Sequence, residues 1–135
     1  MGVRKIGFTM GLMAGIALTL YVLDLWFLSF WSTTCAPCIA EMPGMERLVD
    51  SEKSEKVAFV AVTQEDESTV REFLREHPLR VPVYLSIAEP PSDLLALGVP
   101  TTFILDTRGA AMLRDRGAAN WDDDSVRAYI QSLVK

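Results

Sequence analysis

The sequence predicts an α/β fold preceded by an N-terminal apolar helix. Three observations lead there. Short apolar runs, one of them rich in valine, alternate with segments of helical period. A strand–turn–strand pattern around Thr107-Arg108-Gly109 precedes a last helical segment. Ile6–Leu23 runs for 18 residues without a charge, directly after Arg4 and Lys5.

Basic residues followed by a long apolar run read as a signal peptide or a signal anchor. Eighteen residues come near the ~20 that cross a hydrocarbon core as a helix. Arg4 and Lys5 would keep the N-terminus in the cytoplasm and send the rest outward. Cleavage after Ala17 would have Gly15 two positions earlier, an imperfect small-residue site, so an uncleaved anchor is favoured. A buried core helix is the alternative, but a small domain has little room to surround a helix that is apolar on every side. Residues 1–24 are therefore read as anchor or signal peptide, and 25–135 as one domain of ordinary size. Only Asp24 separates this run from the next, so a membrane helix ending at Leu23 would hold the domain against the bilayer.

Leu25–Trp31 is apolar and aromatic, suited to a strand buried on both faces. Ala36–Asp50 has helical spacing, with Ile39, Met42, Leu48 and Val49 on one broad side and Pro43 inside, where it should kink the helix. Ser51–Lys56 is a polar loop, and Val57–Val62 a continuous apolar run expected to be a central strand. Ser68 is placed as the N-cap of a helix through about Glu76, in which Val70, Phe73 and Leu74 share one face. His77-Pro78 ends it. Val81–Leu85 is a short extended piece, and Ser92 caps a short helix through Leu97 after the Pro90-Pro91 turn. Phe103–Leu105 and Ala110–Arg116 form the closing hairpin. Asp122–Asp124 opens the last helix, where carboxylates are favourable, and Val126, Tyr129, Ile130 and Leu133 are its apolar face.

Composition narrows the function. The chain carries 18 acidic and 13 basic residues and a net charge of −5. It has no basic stripe, which argues against nucleic acid as a partner. The runs Glu65-Asp66-Glu67 and Asp122-Asp123-Asp124 read as solvated faces and helix starts. Two cysteines and one histidine, His77, do not complete a four-ligand zinc site. His77, Trp121 and the six methionines are read as structural.

The cysteines are Cys35 and Cys38, in Phe30-Trp31-Ser32-Thr33-Thr34-Cys35-Ala36-Pro37-Cys38. A bridge between residues so close constrains the unfolded chain little, so reactivity explains the pair better than stapling does. A strand-like stretch enters the motif and a helix-like stretch leaves it. The first sulfur would then sit at a helix N-terminus, where free N–H groups and the helix dipole favour thiolate. Such a pair can cycle between dithiol and disulfide, which points to a thiol–disulfide oxidoreductase. Two small buried hydrophobes on a helix are the bland alternative.

That motif, with Ala40-Glu41-Met42-Pro43 and Gly98-Val99-Pro100-Thr101-Thr102-Phe103-Ile104-Leu105-Asp106, resembles the thioredoxin superfamily. Within it the match is to the membrane-anchored or exported TlpA/ResA/CcmG-like branch, from roughly Leu25 to Lys135. The resemblance implies a thioredoxin-like fold, with a central mixed β-sheet flanked by helices. It implies that Cys35 is the exposed attacking cysteine and Cys38 the buried resolving one. Pro100 matches the family's cis-proline, which lies against the disulfide and presents backbone to an extended substrate. Glu41 matches an acidic residue able to affect cysteine titration, and Trp31 an aromatic beside the site. The substrate surface is assigned to Trp31, Thr34, Ala36, Pro37, Val99 and Thr101. Three departures stand out. Thr34 replaces a frequent second tryptophan. Thr101 follows Pro100 where the cytochrome-c-maturation members tend to carry Glu. The strand pair that usually precedes the first core strand gives way to the apolar segment.

The expected cofactor is none beyond a redox-active Cys35–Cys38 disulfide, with no metal. The expected partners are protein disulfides or dithiols, an upstream thiol–disulfide electron donor, and the membrane through the N-terminal segment. The expected location is the cell envelope, on the periplasmic or extracytoplasmic side, anchored or secreted, in a compartment suited to disulfide exchange and with a reducing role. The competing reading is a membrane-tethered thioredoxin-fold binding module, or a chaperone that holds a soft ion such as Cu(I) on two thiolates. The lack of a third nearby ligand counts against it.

Overall fold

The computed structural model describes residues 3–6, 23–52, 54–89, 91–92 and 98–135. Among them six strands form one mixed sheet in the order β1-β4-β3-β2-β5-β6. The strands are β1 (Arg4–Ile6), β2 (Leu25–Phe30), β3 (Val57–Thr63), β4 (Val83–Ser86), β5 (Thr101–Asp106) and β6 (Ala111–Arg116). The helices are α1 (Ala36–Ser51), α2 (Glu67–Glu76) and α3 (Asp124–Leu133). β1 through β4 run parallel, while β5 is antiparallel to both β2 and β6.

β2 and β3 lie inside the sheet, and their sequences suit that place. Alternate side chains serve opposite faces. Leu25 and Phe27 join Phe59, Ala61, Val83, Leu85 and Ile104 in the larger core. Phe30, Val60, Val62 and Phe103 form a second cluster. The crossovers β2–α1–β3 and β3–α2–β4 advance in the same direction across the sheet. Right-handed crossovers therefore bring α1 and α2 to one face. Met42, Met45 and Leu48 of α1 accordingly share the larger core with Val70 of α2 and Ile130 of α3. Phe27 packs against Phe59 at 5.2 Å and meets Trp121 edge-on at 5.0 Å. Glu46 fastens α1 to the chain entering β4, accepting the backbone N–H groups of Arg80 and Val81 at 2.9 Å each.

Several elements differ from expectation. Asp66, not Ser68, caps α2: its carboxylate accepts the Thr69 N–H at 3.0 Å, and the Ser68 hydroxyl donates to it. These bonds, from Ser68 first and then Thr69, hold the Asp66 carboxyl well below the usual range. A carboxylate with two acceptor oxygens outcompetes the hydroxyl two residues on. Pro43, by contrast, lies inside α1 as expected. The N-terminal edge is less trimmed than expected, because β1 adds in parallel to β4. This pairing puts Arg4 and Lys5 on the domain's own sheet. The remainder of the expected apolar helix, residues 7–22, and residues 93–97 of the short helix after Ser92 lie outside the described residues. No helix among the described residues is long and apolar enough to cross a membrane.

Phe27 is 1 % exposed at the junction of β2, β3 and the Trp121 segment. Phe27→Ala should lower unfolding stability by about 3–5 kcal/mol in a denaturant titration. A loss below about 1 kcal/mol would be inconsistent with a close-packed core at this point.

Candidate active site

The site grows from the end of β2. Trp31 extends the pairing by one residue, its N–H donating to Val62 O at 3.0 Å. The chain then turns through Ser32–Thr34, and Cys35 becomes the N-cap of α1 in an extended conformation. Its Sγ accepts the Cys38 N–H at 3.2 Å. Ala36 and Pro37 open the helix, where the missing proline N–H leaves no intrahelical bond unmade. A disulfide joins Cys35 to Cys38, with the Cα atoms 5.2 Å apart. Cys38 is buried and Cys35 half-buried, while Thr34, Ala36 and Pro37 are exposed around them. One sulfur can thus be approached and the other is covered.

A second segment meets the turn from β5. Phe30 pairs with Thr101, which brings Trp31 and Pro100 to the same end of the sheet. The Val99–Pro100 bond is cis, and Gly98 before it has φ +74°, a left-handed conformation that glycine adopts without steric cost. Pro100 is buried and Val99 exposed. A groove of roughly 340 Å³ runs between turn and loop, lined by Trp31, Ser32, Thr63, Glu65, Gly98 and Val99 among others. Thr101 does not join this surface. Its side chain is fully buried and donates to Gly98 O at 2.7 Å, so it supports the loop from beneath. The assignment of the Thr101 side chain as a substrate contact is corrected accordingly: β5 has begun there, and both faces of the strand are covered at this end. Trp31 is also mostly buried, a wall of the groove that packs on Phe73 at 5.5 Å.

Glu41 lies three residues after Cys38 in α1 and is 5 % exposed. Both residues line a small interior cavity together with Ser29, Trp31 and Met42. The Glu41 carboxylate accepts the Trp121 indole N–H at 2.9 Å and the Ala119 N–H at 3.1 Å. Burial pushes its pKa up. The two donors pull it back in part, and the charge of Asp115 adds to the rise. Trp121, read from sequence as packing alone, is therefore also the hydrogen-bond donor that makes this buried carboxylate tolerable.

Glu65 is the residue that sequence reasoning missed. Its carboxylate accepts the Thr33 N–H at 2.8 Å, the Thr33 hydroxyl at 2.7 Å and the Thr63 hydroxyl at 3.0 Å. Its acidic neighbours disguised it as part of a solvated run. The available signal was topological: Glu65 follows the C-terminal end of β3, the strand beside β2, and functional residues gather at such ends. His77 stacks on Phe73 at 4.5 Å, and the same Phe73 ring packs on Trp31. Among the described residues no group of three or more His, Cys, Asp or Glu side chains could hold a metal ion.

Comparison with known proteins supplies the wider context. The model of the AhpC/TSA family matches residues 16–112. Thioredoxin-like protein YneN of Bacillus subtilis (strain 168) is 38 % identical over 86 residues, covering 61 % of this chain and 50 % of that protein. A thiol-disulfide oxidoreductase ResA of Bacillus cereus is 29 % identical over 110 residues, covering 80 % and 62 %. The chain thus spans between half and two thirds of the length of these relatives. A thiol:disulfide interchange protein of the thioredoxin family from Chlorobium tepidum TLS superposes with a TM-score of 0.64 at 22 % identity, over 87 % of this chain and 84 % of that one. At that identity the likeness establishes a shared thioredoxin-like fold.

The raised pKa of Glu41 gives a pH signature. Between the ordinary value of 4.5 and the raised one, the folded protein keeps a proton that the unfolded chain releases. The Glu41 contribution to stability is therefore greatest in acid and declines as the pH rises through this window. Glu41→Gln keeps an acceptor for Ala119 and Trp121 but carries no charge, so denaturant titrations across pH should show that decline flattened. An undiminished slope in the variant would assign it to other groups.

Proposed function

The chain belongs to the AhpC/TSA family, and from that premise we propose that it is a thiol–disulfide oxidoreductase that reduces disulfides in exported proteins through Cys35 and Cys38. One observation carries the reading: a half-exposed cysteine caps α1 and is bridged to a buried cysteine one turn along.

In the reduced protein the open N–H groups and dipole of α1 favour the Cys35 thiolate. Each unit by which its pKa falls corresponds to about 1.4 kcal/mol. The thiolate attacks one sulfur of a substrate disulfide. That bond breaks, a mixed disulfide forms, and the departing substrate sulfur takes up a proton. Cys38 then loses its proton and attacks Cys35 Sγ, which releases the second substrate sulfur as a thiol once protonated. Two electrons and two protons pass to the substrate, and the pair ends as the Cys35–Cys38 disulfide seen here. A dithiol donor resets it by the same steps reversed.

Glu41 suits the proton step at Cys38, because it lines the same cavity and its pKa is raised. Its charge would also oppose a thiolate on Cys38. That opposition at Cys38 works against the stabilisation that a Cys35 thiolate gives the reduced form, and so supports a reducing direction. The groove beside the exposed Val99 offers a place for an extended segment of substrate. The basic residues and apolar run of the N-terminal segment support export to the extracytoplasmic side, where a thiol–disulfide donor and protein substrates would meet the site.

Cys35→Ser should abolish reduction of insulin disulfides with dithiothreitol as donor, and equal rates for variant and parent would discard the proposal. Cys38→Ser should accumulate a mixed disulfide with an envelope protein, visible as a reductant-sensitive adduct on a gel. Adducts that form instead through Cys38 in Cys35→Ser would reverse the assigned order of attack.

A further inference from the structure

The redox turn is held from outside by a group that takes no part in the sulfur chemistry. Within Ser32–Cys35 the internal bonds are long: Cys35 N–H to Ser32 O is 3.3 Å, and the exposed Ser32 and Thr34 hydroxyls are 3.3 Å apart. The bonds from Thr33 to Glu65 are 2.8 and 2.7 Å, and they fix both the backbone and the side chain of Thr33 to the two oxygens of one carboxylate. Hydrogen bonds to an ionised acceptor are the stronger kind.

Glu65 is itself well anchored. On one side the Thr63 hydroxyl donates to it from the end of β3. On the other, Asp66 caps α2, and Phe73 of that helix packs on Trp31. Glu65 thus sits in the chain between the end of a central strand and a helix that also touches the aromatic wall of the site. It lies along the groove that Val99 lines.

We propose that Glu65 is a positioning residue for Cys35, bracing the Ser32–Thr34 turn through Thr33 so that the attacking sulfur stays at the mouth of α1 when the disulfide is open. This rests on the oxidoreductase reading for its catalytic use. In the oxidised protein the Cys35–Cys38 bond already ties Cys35 to the helix. Reduction removes that tie just when the sulfur must be aimed at a substrate. The Glu65 bonds involve no sulfur and survive reduction. A turn released from them would let Cys35 leave the N-cap position and lose the helix terminus that stabilises its thiolate.

The substitutions separate geometry from charge. In Glu65→Gln the amide oxygen can still accept from Thr33 N–H and Thr63, while the amide N–H can donate to a Thr33 hydroxyl turned to accept. Glu65→Ala loses the whole set. The reduced proteins are reacted with 5,5′-dithiobis(2-nitrobenzoate), and the fast release of thionitrobenzoate from Cys35 attack is followed at neutral pH. Glu65→Ala should be slower by about tenfold, and Glu65→Gln should return to within about threefold of the parent or faster. Parental speed in the alanine variant, or a glutamine variant as slow as alanine, would overturn the proposal. Should Glu65→Ala fail to fold, Thr33→Val removes one donor only and should slow attack about threefold; no slowing would overturn the proposal equally. Insulin reduction by the parent is measured alongside. A parent inert towards insulin would refute the oxidoreductase reading, whereas the ratio between variants reports on the brace by itself.

Discussion

Everything in this site depends on a sulfur occupying a helix N-cap. That place usually holds a serine, threonine, asparagine or aspartate, whose oxygen satisfies an open N–H. Here Cys35 Sγ takes the Cys38 N–H instead. The same donors that would stabilise an oxygen anion become available to a thiolate. For this to work α1 must begin where β2 stops, with only a short turn between them. The core enforces that geometry. Phe27 and Leu25 fix β2 from one side, while Cys38, Met42, Met45 and Leu48 draw the inner face of α1 onto the same cluster.

The two cysteines share one side of the first helical turn, as their bond requires, but Cys35 lies at its open end and Cys38 one turn further in. Cys35 reaches the surface and Cys38 faces the core. The core at that point is not wholly apolar, since Glu41 stands one turn beyond Cys38. Its carboxylate is sustained by Trp121, the same indole that packs on Phe27. Packing and proton chemistry therefore share a residue. Disturbing Trp121 would open the core and also strip a donor from a buried acid.

Much of this was legible in the sequence. The valine run of β3, the aromatic run of β2 and the Thr107-Arg108-Gly109 turn are local patterns, and each element formed within a residue or two of its expected ends. The cysteine motif was equally legible, because a C-x-x-C between strand and helix has few structural meanings. Two of the misses involve partners distant in sequence. Thr33 and Glu65 are separated by 32 positions, and nothing around Glu65 distinguishes it from its solvated neighbours. β1 was hidden in the basic start of an apolar segment, and its pairing partner lies beyond residue 80. Thr101 was placed on the surface by its neighbour Pro100, whereas the strand that starts there is covered on both faces at this end.

The most direct measurement is the acidity of the two thiols in the reduced protein. Alkylation with iodoacetamide across a pH series, with each modified cysteine identified by mass, gives the titration of Cys35 and Cys38 separately. A sulfur held at the mouth of α1 should ionise below the ordinary thiol value of about 8.5 and react well ahead of Cys38. Two thiols that ionise near that ordinary value and react at equal speed would contradict the assignment of Cys35 as the activated nucleophile.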